Sequence, residues 1–187
     1  MDSQTINLNK EQIEKAIPRV EKGLKQYKWL QIEFKKRNVS ENREFQKAFN
    51  AYYRVRRNSK WQTEFYNLLE INKFKNPYFE DILSDLYQKT GRMEASFVSK
   101  LIATINPDMP VIDKIVFNNL NLKLPQTNTE NRSSIINEKY RILNKKFTEY
   151  LETENGKYLI KKFTEKYLES DITKVKMLDF VLWQTRS

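Results

Sequence analysis

A chain of 187 residues with 39% hydrophobic and 13% aromatic residues can close a core, which excludes a wholly disordered polymer. It contains no Cys and no His, so disulfides, thiolate metal sites, the usual zinc ligand and the imidazole base are all excluded. Its 34 Lys and Arg against 24 Asp and Glu give a net charge of +10. That charge points to polyanions, with nucleic acid first and an acidic membrane surface or acidic protein behind it.

Only three glycines and five prolines are present. Sheet-rich folds need many tight turns with positive φ, so this scarcity favours long helices and few hairpins. The expectation is an all-α, single-domain bundle of about eight to nine helices over residues 1–187. The only weak subdivision lies at the polar loop 123–131. Lys and Asn abound throughout the chain, and this general richness is the bland source of the same positive charge. No apolar run approaches a membrane span, and MDSQTINLNK carries no hydrophobic signal core, so the expected location is cytoplasmic, away from membranes. No metal, cofactor or small-molecule ligand is implied.

In chain order, Asn9 is the expected cap of a first helix, with Gln12 reaching back to it. Ile13, Ile17, Val20, Leu24, Tyr27 and Phe34 then recur at helical spacing, interrupted by a kink or helix break at Pro18. This stripe packs on the chain's own core or, alternatively, forms a seam for a protein partner. A helix beginning at Ser40 carries Phe45, Phe49, Tyr52 and Tyr53 into the stretch YYRVRRNSKW. There Arg54, Arg56, Arg57 and Lys60 interleave with Tyr53 and Trp61, which suits a phosphate-contacting surface or, equally, a solvated face over core aromatics. Ser59 is the expected cap of the next helix, with Trp61, Phe65, Leu68 and Leu69 inward.

Asn76-Pro77 opens a helix with Phe79, Ile82, Leu83 and Leu86 buried. The Gly91 turn ends it, and a further helix runs to Asn106, so residues 77–106 outline a helix-hairpin-helix-like unit. Asp113 starts the next helix, with Ile115, Val116 and Leu120. An acidic residue there stabilises a helix N-terminus whatever else it does. Two long helices follow, separated at Asn155-Gly156. In the last, nearly all-apolar segment, Asp179 needs a cationic partner, either Lys176 or Arg186.

The pattern Gly91-Arg92, then Pro110-Val111-Ile112-Asp113-Lys114-Ile115-Val116 and Leu120, resembles the signature of the helix-hairpin-helix DNA glycosylases, which include endonuclease III and the mismatch adenine glycosylases. The resemblance covers Tyr87 to Leu122 and makes the chain similar to a divergent bacterial member. It implies DNA as partner and base excision with Asp113 as the catalytic carboxylate, stabilising positive charge on the sugar of a flipped-out nucleotide. It also implies DNA contacts from Lys89, Gly91, Arg92, Lys100 and Lys114, beside Arg54, Arg56, Arg57 and Lys60. Met93 stands where bifunctional members keep a lysine, so the implied chemistry is monofunctional. The alternative is a non-catalytic basic helical module that binds nucleic acid or an acidic protein.

Overall fold

Apolar stripes at helical spacing, broken by Asn, Pro and Thr, leave no alternating extended pattern in this chain. The computed structural model, which describes residues 4–185, is accordingly all-α. Ten α-helices and one 3₁₀ turn occur among the described residues, with no strand. None of these helices is long and apolar enough to cross a membrane. The backbone forms two compact units: Gly23–Asn106 is one, and the chain up to Lys22 together with that from Pro107 onward is the other. The polar loop 123–131 falls inside the second.

In the unit Gly23–Asn106, most of helix α2 (Glu21–Lys36) is followed by α3 (Arg43–Tyr53), α4 (Ser59–Ile71), α5 (Phe79–Thr90) and α6 (Ala95–Ile105). The caps of α3 and α4 are Asn42 and Asn58, whose side chains accept the N–H groups of Phe45 and Trp61, both at 2.9 Å. These replace the expected Ser40 and Ser59. An N-cap reaches the N–H three residues on, and only the asparagines set a buried aromatic there. The Ser40 hydroxyl turns instead to Asn38 Oδ1 at 2.6 Å. Helix α5 begins at Phe79, two residues beyond Pro77.

The core of this unit is aromatic. Phe45, Phe49, Phe65 and Tyr66 are fully buried, with Phe49 centred 5.7 Å from both Phe45 and Phe65, and Tyr66 edge-on to Phe65 at 5.3 Å. Tilted and edge-on pairs of this kind add about 1 kcal/mol each beyond the area they bury. The Tyr66 hydroxyl donates to Asn50 Oδ1 at 2.7 Å, which satisfies the one polar atom of that ring.

In the other unit, α1 (Lys10–Ala16) opens with the reciprocal Asn9–Gln12 capping box that the spacing predicts. Pro18 sits in a 3₁₀ turn, Ile17–Arg19, where its missing N–H breaks the helical ladder. Helices α7 (Lys114–Asn119), α8 (Arg132–Glu152), α9 (Glu154–Lys166) and α10 (Lys174–Gln184) complete it. The break between α8 and α9 falls at Thr153, whose hydroxyl accepts the Gly156 N–H at 3.1 Å. Asn155-Gly156, expected as the separator, lies inside α9 instead. Gly156 is there because a Cβ would stand 2.1 Å from the Tyr150 carbonyl oxygen. The Tyr150 hydroxyl and the Asn155 amide both donate to the Leu8 carbonyl, at 3.2 and 3.0 Å, and tie the chain before α1 to the α8–α9 junction. Asp179 pairs with Lys176; Arg186, the other expected partner, lies outside the described residues. Of the predicted apolar stripe, Ile13, Ile17 and Val20 are buried in this unit, and Leu24, Tyr27 and Phe34 are buried in Gly23–Asn106.

Candidate nucleic-acid interface

The positive charge is unevenly divided. Gly23–Asn106 has 16 Lys and Arg against 9 Asp and Glu, a net of +7, whereas the rest has 18 against 15, a net of +3. The basic character therefore belongs mainly to the shorter of the two units.

Within it, the connection between α3 and α4 is shaped by a left-handed residue. Arg54 ends α3 at φ 54° and donates its N–H to the Asn50 carbonyl, which also accepts the Val55 N–H at 2.9 Å. Val55 is buried while its neighbours Arg54 and Arg56 are exposed. Arg57 then turns inward. Its Nε lies 2.8 Å from Glu94 Oε1, and its Nη2 reaches the same oxygen. Its guanidinium also lies over the Phe97 ring at 5.1 Å, and the Lys100 ammonium lies 4.7 Å from the same ring centre.

This ion pair joins two stretches that are far apart in sequence. Arg54, Arg56, Arg57 and Lys60 come from the α3–α4 connection and the start of α4. Arg92, Glu94, Phe97 and Lys100 come from the α5–α6 turn and α6. Arg56, Lys60 and Arg92 are exposed, and none of the three enters an ion pair among the described residues. Lys89 is less available, with its ammonium 3.6 Å from Glu64. The Arg57 side chain is 34% exposed and that of Glu94 13%, so the pair lies at the edge of the unit with its carboxylate the more buried member.

Two N–H groups of the hairpin turn are bonded within the chain. Gly91 takes φ 67° to end α5, a conformation that costs glycine nothing, and its N–H bonds the Tyr87 carbonyl at 2.7 Å. The Arg92 N–H points to Thr90 Oγ1 at 3.3 Å. Glu94 occupies the N-cap position of α6, and its carbonyl accepts from Phe97 and Val98. The positive end of α6 thus already has a carboxylate beside it.

Asp113 and Lys114 belong to the other unit. One Asp113 oxygen accepts the N–H groups of Ile115 and Val116, at 2.9 and 3.2 Å, and so caps α7. Lys114 is exposed on the first turn of that helix. The remaining residues singled out from the sequence, namely Lys89, Gly91, Arg92, Lys100, Arg54, Arg56, Arg57 and Lys60, all lie in Gly23–Asn106.

Sequence reasoning missed Glu94 and Phe97. The signal for Glu94 was present, since an acidic residue directly before an apolar helix is a start mark. Its partner 37 residues away left no sequence trace. Comparison with protein-family models, with curated proteins and with solved structures found no match to this chain.

Proposed function

We propose that Gly23–Asn106 is a nucleic-acid-binding helical module whose side-chain cations, rather than the amides of the hairpin, meet the phosphates. The observation that carries this reading is the Arg57–Glu94 ion pair, which sets the Arg54–Lys60 stretch beside the Arg92–Lys100 stretch in the unit of net charge +7. One internal carboxylate holds Arg57 in place while Arg56, Lys60 and Arg92 remain outward for contact. Cations so placed release condensed counterions when they meet a phosphate backbone, which makes binding strong at low salt and steeply salt-dependent. Asp113 caps α7, and this reading assigns it no catalytic step.

Fluorescence anisotropy with labelled oligonucleotides at ionic strengths between about 50 and 200 mM tests this. The wild-type chain should lose affinity on the order of a hundredfold across that range. Replacing Arg56, Lys60 and Arg92 by Ala should lower the slope of log affinity against log salt by about 2 to 3. Absence of binding at the lowest salt, or an unchanged slope in the triple variant, would reject the reading.

A further inference from the structure

The connection from α4 to α5 is built inside out. Asn72 and Lys73 are each only 8% exposed, whereas Phe74 is 86% and Tyr78 73% exposed. Hiding an amide and an ammonium while presenting a phenyl ring to water runs against the transfer preference of each group. The polar pair is held by specific bonds. Asn72 donates to the Leu68 carbonyl at 2.9 Å, and the Lys73 ammonium reaches Glu70 at 2.6 Å and the Arg37 carbonyl. It also lies 5.3 Å from the centre of the Phe34 ring. With its two preceding neighbours anchored inward, the turn holds Phe74 out.

The segments that meet at this turn, 33–37 and 70–81, carry five cations, Lys35, Lys36, Arg37, Lys73 and Lys75, against four acids, Glu33, Glu70, Glu80 and Asp81. The Lys73–Arg37 bond lays the turn against the end of α2, where Lys35, Lys36 and Arg37 are consecutive, and Lys75 follows Phe74 directly. Of the acids in these two segments, Glu33 is paired with Arg37 and Glu70 with Lys73. Glu80 and Asp81 follow in the first turn of α5, where the positive helix end stabilises them.

Phe74 is exposed, Lys75 follows it in sequence, and Lys35 and Lys36 are exposed at the end of the helix to which the turn is bonded. A ring and cations brought together in this way offer an unpaired nucleotide a face for its base and partners for its phosphate. We propose that Phe74 and Tyr78 are stacking positions for unpaired bases, so that the polyanion bound by this unit is single-stranded nucleic acid. This rests on the nucleic-acid reading above and adds to it the strandedness of the ligand. A duplex keeps its base faces inside the stack and offers Phe74 nothing but backbone. Helix α4 has Lys60 near its start and the Phe74 turn at its other end, about 18 Å apart at the helical rise, a distance that a strand of a few nucleotides spans.

The test compares a labelled oligothymidine of about 20 nucleotides with a duplex of the same length, using the full chain. The Phe74→Ala/Tyr78→Ala variant should bind the single strand at least about fivefold more weakly, with duplex affinity and salt slope unchanged. Phe74→Trp should keep or strengthen single-strand binding. Both rings are exposed, so circular dichroism should show an unaltered fold. Equal single-strand affinity for the wild type and the double variant would overturn the stacking assignment, and if the Arg56, Lys60 and Arg92 variant were still impaired, the binding reading would stand without it. No binding of either oligonucleotide at low salt would remove both. Loss of pelleting with phosphatidylserine vesicles in the double variant, with strand binding intact, would make the loop a membrane contact and overturn the proposal.

Discussion

The Lys176 ammonium lies 2.6 Å from the Asp179 carboxylate, one turn along α10, with the two side chains only 5% and 13% exposed. The same ammonium stands 5.0 Å from the centre of the Phe180 ring. Removing one member leaves the other charge in a poorly solvated place. Asp179→Ala should therefore cost about 3 kcal/mol in urea denaturation, whereas replacing both by Met and Leu should cost much less. Equal losses in the single and double variants would show that packing, not the uncompensated charge, sets the penalty.

Two of the glycines should respond to alanine for different reasons. At Gly156 the added methyl would meet the Tyr150 backbone oxygen, so α9 must shift against α8, and a loss of about 2 kcal/mol or more is expected in thermal or urea unfolding. At Gly91 the space is open and only the left-handed backbone resists, so the expected loss is about 1 kcal/mol. The reverse order would mean that the α8–α9 junction relaxes easily.

Asp113 acts as a helix cap, and asparagine caps about as well. Asp113→Asn should leave stability within about 0.5 kcal/mol of wild type, and Asp113→Ala should lose about 1 kcal/mol. Running both variants in an assay for base release from damaged duplexes separates the two roles of this position. Activity in the wild type that Asp113→Asn abolishes would restore the excision chemistry that the glycosylase resemblance implies.

Alkaline pH should weaken the fold. Burial raises the phenols of Tyr66 and Tyr140 far above the ordinary tyrosine value and pushes that of Tyr150 up to about 12. Each group stays protonated in the folded chain while the unfolded chain ionises near pH 10. The stability they contribute is therefore complete below about pH 10 and falls as pH rises, at a rate that climbs toward about 1.4 kcal/mol per pH unit for each tyrosine. Tyr150 reaches its full loss near pH 12, and the other two continue beyond it. Urea midpoints measured from about pH 8 to 11 check the direction, and Tyr140→Phe should flatten the decline.

What the sequence made legible depended on how far apart the interacting groups lie. The all-helical class followed from apolar spacing and scarce glycine. Asn9 with Gln12, and Asp179 with Lys176, were readable because each pair sits three residues apart on a helix. Asn42 and Asn58 cap in place of the neighbouring serines because the choice turns on which residue sets Phe45 or Trp61 at the third helical position. Gly156 looked like a breaker because its purpose is a close approach to α8 that a linear pattern does not record. The candidate interface was legible as two basic stretches. The Glu94 carboxylate that joins them was hidden by a separation of 37 residues.

The Leu8 carbonyl accepts from a hydroxyl 142 positions further along the chain. At a synthesis rate of about 5 to 20 residues per second, that acceptor waits roughly seven to thirty seconds before Tyr150 exists. Throughout the delay Ile13, Ile17 and Val20 lack the helices that will cover them, while the rings of Phe34, Phe45, Phe49, Phe65 and Tyr66 that pair with one another have all been made. The aromatic pairs of Gly23–Asn106 can thus form before the segment around Leu8 finds its partners, and that segment stays open to chaperones, proteases and premature association in the interval.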